Sequence, residues 1–283
     1  MSESKKIILI TGCSSGFGRL ATLALCKQHK VIATIRDLSK KHHLDDVEDK
    51  NNLDIQHLDV LDQHSITQLA AYIKLTYQNI DVLINNAGIF LGGFFEDCTS
   101  AEIDAVMNTN VKGVFNVTKA ILPLLRESKQ GKLINISSSS GLVAMPAASI
   151  YAASKHAIEG WSEGLSYELA PFGVSVSLIE PQTYQTEMLT SNLKLTESRN
   201  NQSSPYVSFY EPLIKRIFSR IKVGRNPKEV VKVIVKIIKS NNPKRRYLVG
   251  PNTHIKFLLK KILPFELFYK LVERVFLTLI KQR

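Results

Sequence analysis

Residues 7–18 read Ile7-Ile8-Leu9-Ile10-Thr11-Gly12-Cys13-Ser14-Ser15-Gly16-Phe17-Gly18. The short aliphatic run closed by turn-forming residues is the mark of a strand, and the spacing of apolar residues from Gly16 to about Gln28 is that of a helix. Between them, the glycines lack the side chains that would keep backbone amides and a helix N-terminus away from a pyrophosphate. Glycines also serve ordinary turns. Here they follow a strand and open a helix, which makes the phosphate reading specific.

The same alternation continues along the chain. Strand patterns at 31–35, 55–59, 82–85, 133–137, 174–180 and 247–249 are separated by helical patterns at about 39–48, 63–77, 101–126, 149–170 and 227–239. Repeated strand–helix units imply an α/β fold, a doubly wound parallel sheet of the Rossmann type with about seven strands and helices on both faces. A chain of 283 residues, 44% of them hydrophobic, is long enough for one large domain of this kind.

Residues 133–155, LINISSSSGLVAMPAASIYAASK, bring chemistry to this frame. The first part reads as a strand and the last as the start of a helix, on which Tyr151 and Lys155 stand four residues apart and share a face. A free phenol titrates near ~10, and a neighbouring ammonium favours the phenolate and lowers that value. Tyr151 could then exchange a proton with a substrate oxygen near neutral pH, and Ser138, at the end of the strand, could hold that oxygen. A bare Tyr-x-x-x-Lys would equally suit a buried helix, so the reading depends on the motifs around it.

Those motifs are Thr11 to Gly18, Asn85-Asn86-Ala87-Gly88, Asn110, Ser138 and Tyr151 to Lys155. In order and spacing, over about residues 5–250, the chain resembles the short-chain dehydrogenase/reductases. The runs TGCSSGFG and VIATIRD are most similar to the branch of 17β-hydroxysteroid and retinol dehydrogenases. The resemblance implies a strand order 3-2-1-4-5-6-7 and hydride transfer between a nicotinamide dinucleotide and a hydroxyl or carbonyl group. It also implies roles. Tyr151 is the acid/base, Ser138 positions the oxygen, Lys155 lowers the Tyr151 pKa and binds ribose, and Asn110 holds a water linking Lys155 to solvent. The implied cofactor contacts are Gly12, Ser14, Ser15, Gly16, Phe17, Gly18, Asn85, Ala87, Gly88, Tyr151, Lys155, Pro181, Tyr184 and Thr186, with Asp59 capping the adenine. Gln182 stands where the family has glycine, which unsettles the turn after Pro181. Residues 1–250 form the dinucleotide-binding domain and 251–283 a basic amphipathic extension of it.

The cofactor is read at the end of the second strand. An NAD enzyme offers an acid there to the ribose 2′-hydroxyl, whereas Ile35 is followed by Arg36, with Arg19 near the glycine turn. Guanidinium groups suit a 2′-phosphate, so NADP is expected, with Asp37 keeping NAD open. The polar segment 187–223, with Tyr206, Phe209 and Tyr210, reads either as a lid or as a surface insertion. With Phe94, Leu142, Val143 and Met145 it suggests a pocket for an apolar alcohol or carbonyl, steroid-, retinoid- or lipid-like. The competing functions are an NAD-dependent alcohol dehydrogenase and a non-catalytic dinucleotide-binding redox sensor; the intact Ser138, Tyr151 and Lys155 oppose the sensor.

Charge and composition bound the partners. Cys13, Cys26 and Cys98 are too few and scattered for a disulfide framework or a zinc site, so the chain reads as cytoplasmic and metal-free. MSESKK runs straight into a strand without a signal-peptide core, and no run reaches the roughly 18 apolar residues of a spanning helix. The net charge of +12 is uneven: residues 1–210 hold 18 Lys+Arg and 21 Asp+Glu, residues 211–283 hold 19 and 4. No recognition motif supports nucleic acid as the partner of this basic quarter. Residues 254–280 alternate Leu, Ile and Phe with Lys, broken at Pro264. This pattern fits peripheral contact with a membrane, or tail helices packed on the lid or in a homo-oligomer.

Overall fold

The computed structural model describes residues 4–190, 192–222 and 224–281. Seven strands, β1 (Ile7–Ile10), β2 (Lys30–Ile35), β3 (Leu53–His57), β4 (Val82–Asn85), β5 (Lys132–Ile136), β6 (Ser175–Pro181) and β7 (Arg246–Val249), form one sheet. All pairings are parallel, in the order β3-β2-β1-β4-β5-β6-β7. The order reverses between β1 and β4, where Ile10 pairs with Ala33 on one side and Ile84 on the other. In open α/β sheets, the crevice beyond the strand ends at such a reversal is where ligands bind.

The strands are aliphatic throughout because both faces are covered. Ile8, Ile10, Val31 and Ala33 face the side closed by α1 (Gly16–Leu25) and α7 (Lys228–Lys239). Leu9, Ile32, Leu83 and Leu133 face Ile66 and Leu69 of α2 (Gln63–Tyr77), Val117 and Ile121 of α4 (Val114–Glu127), and Leu165 of α5 (Ser149–Leu169). The helix expected over 101–126 is interrupted. Between α3 (Ser100–Met107) and α4, residues Asn108–Gly113 form a π-helical turn. There the Asn110 side chain bonds the main chain of Ile89, and Gly113 lies so close to Val60 that a Cβ would fall 2.7 Å from its Cγ2.

Other expectations also shift. The polar helix near 39–48 is a 3-10 turn, Leu38–Leu44, capped by Asp37, which accepts from the Ser39 amide. The third strand ends at His57, which leaves Asp59 in the following turn. The segment read as lid or insertion contains an ordered helix, α6 (Val207–Lys222), whose Tyr210 hydroxyl donates to Asp97 at 2.7 Å. The chain then closes with α8 (Pro251–Ile262) and α9 (Phe265–Lys281), on either side of the break expected at Pro264.

A buried lysine ties the sheet to one of its helices. Lys132, at the start of β5, donates to the carbonyls of Ile237, Ile238 and Ser240 at the end of α7, at 3.2 Å for the first and 2.6 Å for the last. An ammonium there meets carbonyls of the last turn, of which that of Ile237 also accepts from the Ser240 amide at 3.2 Å, at the negative end of the helix dipole. Lys132→Met should therefore lower the unfolding free energy by about 2–3 kcal/mol in urea titration. An unchanged midpoint would show that the carbonyls find other partners.

Candidate active site

The first turn is built on close approach. Gly12 has φ +72°, and a Cβ on it would sit 3.0 Å from the Ala87 Cα. A Cβ on Gly18 would sit 2.4 Å from the Gly12 oxygen and 2.5 Å from the Asn86 Nδ2. Asn86 locks this contact, its side-chain amide donating to the carbonyls of Thr11 and Gly12, both at 2.9 Å. Thr11 Oγ1 accepts from the Asn86 and Ala87 amides in return. At the start of α1 the Gly16 amide donates to the Glu187 carboxylate at 2.9 Å. The helix terminus thus holds a carboxylate oxygen on its first free amide, as it could hold an oxygen of a phosphate, and the turn fits a dinucleotide. Ser15 is the extended residue preceding α1, Ser14 offers its carbonyl to the His43 ring at 2.7 Å, and Phe17 packs edge-on against Tyr184.

Beside this turn lies a cleft of about 220 Å³, lined by Ser138, Tyr151 and Lys155, by apolar side chains, and by Arg216 and Lys256. Ser138 lines the cleft beside the Tyr151 phenol and its hydroxyl accepts from the Ser140 amide at 3.1 Å, and Phe90 packs on the Tyr151 ring. Lys155 lies over the same ring, its Nζ 5.8 Å from the centroid, and donates to the Ile136 carbonyl at 2.9 Å. Asn110 joins them across Gly88, where a Cβ would lie 3.1 Å from Asn110 Oδ1 and 3.9 Å from Lys155 Nζ.

The protonation of the pair differs from the expectation that Lys155 lowers the phenol pKa. Burial pushes the Tyr151 phenol up to about 12, with the Ser138 hydrogen bond opposing. Burial also pushes the Lys155 ammonium down to about 8, with Glu159 opposing. Both groups have left water for a medium that penalises either charge, and this outweighs any attraction between them.

A family model described as short chain dehydrogenase matches residues 6–196. The chain is a short-chain dehydrogenase. A 3-ketodihydrosphingosine reductase from Bacteroides thetaiotaomicron is 37% identical over 257 residues, covering 90% of this chain and 92% of that protein. Human retinol dehydrogenase 8 is 34% identical over 259 residues, covering 87% and 82%. An actinorhodin polyketide ketoreductase variant, solved with NADPH, superposes with a TM-score of 0.74 at 27% identity, covering 88% of this chain and 97% of its own. The dehydrogenase is thus an oxidoreductase acting on CH–OH groups, in a family whose solved members include proteins holding NADPH or NAD.

The structure sorts the remaining expected contacts of the dehydrogenase. Thr186 packs near Gly16, and Pro181 and the main chain at Tyr184 border the cleft. The Tyr184 ring is buried, with its hydroxyl donating to Glu229 at 2.9 Å. Gln182 reaches over Gly250 and accepts from the Asn252 amide at 3.0 Å, so the residue replacing the family glycine anchors the start of α8. Asp59 is spent on the Leu61 amide at 2.9 Å. Asn85 is corrected. Its side chain turns into the core, donating to Thr118 and Asn135, and it is Asn86 that reaches the cleft. Arg19 is also taken, by the His43 carbonyl and Asp46, whereas Arg36 is exposed at the end of β2.

A charged cluster beneath Lys155 escaped the sequence reading. Glu159, one turn further along α5, accepts from the Ser137 hydroxyl, and Arg246 lies 2.9 Å from both Glu159 and Glu180. The spacing of Glu159 from Lys155 was visible in sequence; its meeting with β6 and β7 was not. One guanidinium faces two buried carboxylates. Burial and the neighbouring Glu159 push Glu180 up to about 8, with Arg246 opposing. The folded dehydrogenase therefore holds a proton that the unfolded chain, titrating near ~4.3, releases. Stability from this group is full below that value and is lost as pH rises towards 8, by up to about 1.4 kcal/mol per pH unit. Urea titrations from pH 5 to 8 should show this decline, and Glu180→Gln should flatten it. An equal slope in both proteins would mean that Glu180 is ionised throughout.

Proposed function

We propose that the protein is an NADP(H)-dependent oxidoreductase that interconverts a hydroxyl and a carbonyl on an apolar substrate. The observation that carries this reading is the Ser138–Tyr151 pair at the wall of a cleft whose other sides include Phe90, Met145, Met188, Leu189, Leu213 and Phe276. The dinucleotide supplies or accepts the hydride. Ser138 holds the substrate oxygen, and Tyr151, kept protonated by its burial, delivers the proton that oxygen needs as it becomes a hydroxyl. Asn110, its side chain committed to Ile89 and Ser154, holds the Gly88 turn against Lys155 and leaves any bridging water to the main chain. The names of the sphingosine-type and retinol relatives agree with a long apolar substrate.

The preference for NADP rests on what the neighbours of Arg36 are doing. Asp37, the acid that would favour NAD, caps the next turn through the Ser39 amide and hydroxyl. Arg36 is left at the strand end as the group facing a 2′-phosphate.

Two measurements test the reading. Tyr151→Phe should cut turnover of hydrophobic ketones by roughly 10²–10⁴-fold while NADPH affinity, followed by fluorescence, stays near that of the wild type. Near-normal turnover would end the assignment. Arg36→Ala should reduce the ratio of kcat/KM for NADPH over NADH by about tenfold or more, the loss of one charged hydrogen bond. An unchanged ratio, or a wild type that prefers NADH, would move the 2′-phosphate site elsewhere or remove it.

A further inference from the structure

The last two helices carry their apolar residues on the wrong side for a tail that only packs on the body. On α8 the inward residues are Thr253 and Phe257, while Ile255, Leu258, Leu259 and Ile262 lie at helical spacing on the opposite face. They are exposed, Ile255 and Leu258 at 55% and Ile262 at 68%. The stripe continues into the elbow at Pro264, where Phe265 is 67% exposed and stacks on the exposed Tyr269, 4.3 Å between centroids. An amphipathic helix in a soluble monomer turns such a stripe inward. The inner side of the same pair is meanwhile engaged. Phe268 packs with Leu142 and Val143, Phe276 packs against Phe94, and Lys256, Val275 and Phe276 line the substrate cleft.

We propose that the outer face of α8 and the α8–α9 elbow dock on an anionic phospholipid surface, beside the cleft that these helices help to wall. Charge selects this occupant over a second copy of the chain. Lys256 lines the cleft and Lys260 donates to the Leu142 carbonyl, but the exposed Lys261, Lys270 and Arg274 still outnumber Glu266 and Glu273 on the two helices, and the preceding α6 and α7 are also basic. Two copies meeting face to face would bring like charges together, whereas a bilayer with acidic headgroups supplies the opposite charge around an apolar interior. Among the described residues no helix is long and apolar enough to cross a membrane, so the contact is interfacial. That the docked face admits lipid-dissolved substrate to the cleft rests on the reading of the apolar substrate above; the docking itself does not.

The test uses the full-length protein and sedimentation with vesicles of phosphatidylcholine alone or with roughly one-third phosphatidylglycerol. Binding should favour the anionic vesicles at about 50 mM salt and fall severalfold at about 500 mM. Ile262→Asp with Phe265→Asp should weaken binding roughly tenfold or more, since charges replace inserted apolar groups. Ile255→Ser with Leu258→Ser provides a second, milder pair. Leu75→Asp, at the 87% exposed Leu75 of α2, should change nothing. Thermal melting and turnover of a water-soluble carbonyl should be unaffected in all three variants, so loss of membrane binding is separable from loss of fold or of catalysis. Absence of binding to anionic vesicles at low salt would overturn the proposal. So would a dimer in light scattering that the elbow variant converts to monomer without any vesicle binding, because the face would then be covered by a second copy.

Discussion

A single atom too many at position 18 would place a carbon 2.4 Å from the Gly12 carbonyl oxygen. That intolerance is the constraint on which the site depends. It lets α1 start directly against the end of β1, and it lets the Asn86 amide reach two carbonyls of the same turn. Two segments far apart in sequence, residues 11–18 and Asn86, thereby share one junction at the point where the strand order reverses. A pyrophosphate site needs exposed amides, a helix N-terminus and nothing in front of them. The junction supplies the amides and the helix N-terminus, and the Glu187 carboxylate now in front of the Gly16 amide, which a pyrophosphate would displace, shows that an acceptor fits there.

The chemistry next to the junction is governed by dielectric more than by charge pairing. Tyr151 and Lys155 are both buried, and burial drives both towards their neutral forms. The arrangement favours the protonated phenol, with Ser138 beside it in the lining of the same cleft. Under Lys155, the α5 backbone carries Glu159 to a guanidinium shared with Glu180. A buried cluster of this kind adds little net stability, because the attraction within it is offset by the loss of hydration. Its effect is positional, since it ties α5 to β6 and β7 directly behind the catalytic helix turn.

Much of this was legible in the residues. The periodicities at 63–77 and 82–85 coincide with α2 and β4, because those segments carry one unbroken pattern each between clear turn signals. That Ser138, Tyr151 and Lys155 would share one cleft was readable because they lie close in sequence. What was hidden depends on contacts between distant segments. The π-helical turn follows from Asn110 gripping Ile89 and from Gly113 meeting Val60, neither of which a helical pattern announces. The choice between Asn85 and Asn86 turns on which neighbour faces the core. Alternation along β4 decides that only once the sheet is assembled. The raised phenol pKa was missed for a similar reason: spacing places a lysine near a tyrosine but says nothing of how much water either has lost.

The tail posed two alternatives in sequence, packing on the body or facing a membrane, and the structure makes them compatible. A helix of 3.6 residues per turn has room for two apolar stripes if its polar residues gather between them. On α8 one stripe, through Thr253 and Phe257, meets the body, and the other, through Ile255, Leu258 and Ile262, does not. The family glycine after Pro181 has been replaced by Gln182, whose side chain fits only because Gly250 has none, and Gln182 in turn holds the first turn of α8. The position of the outer stripe is therefore set by the same loop that borders the cleft. A fold that fastens an apolar, basic surface to the wall of its own apolar cleft fixes where each faces relative to the other. A substrate that is poorly soluble in water gains most from that coupling, since its path from a hydrophobic phase to Tyr151 need not pass through bulk solvent.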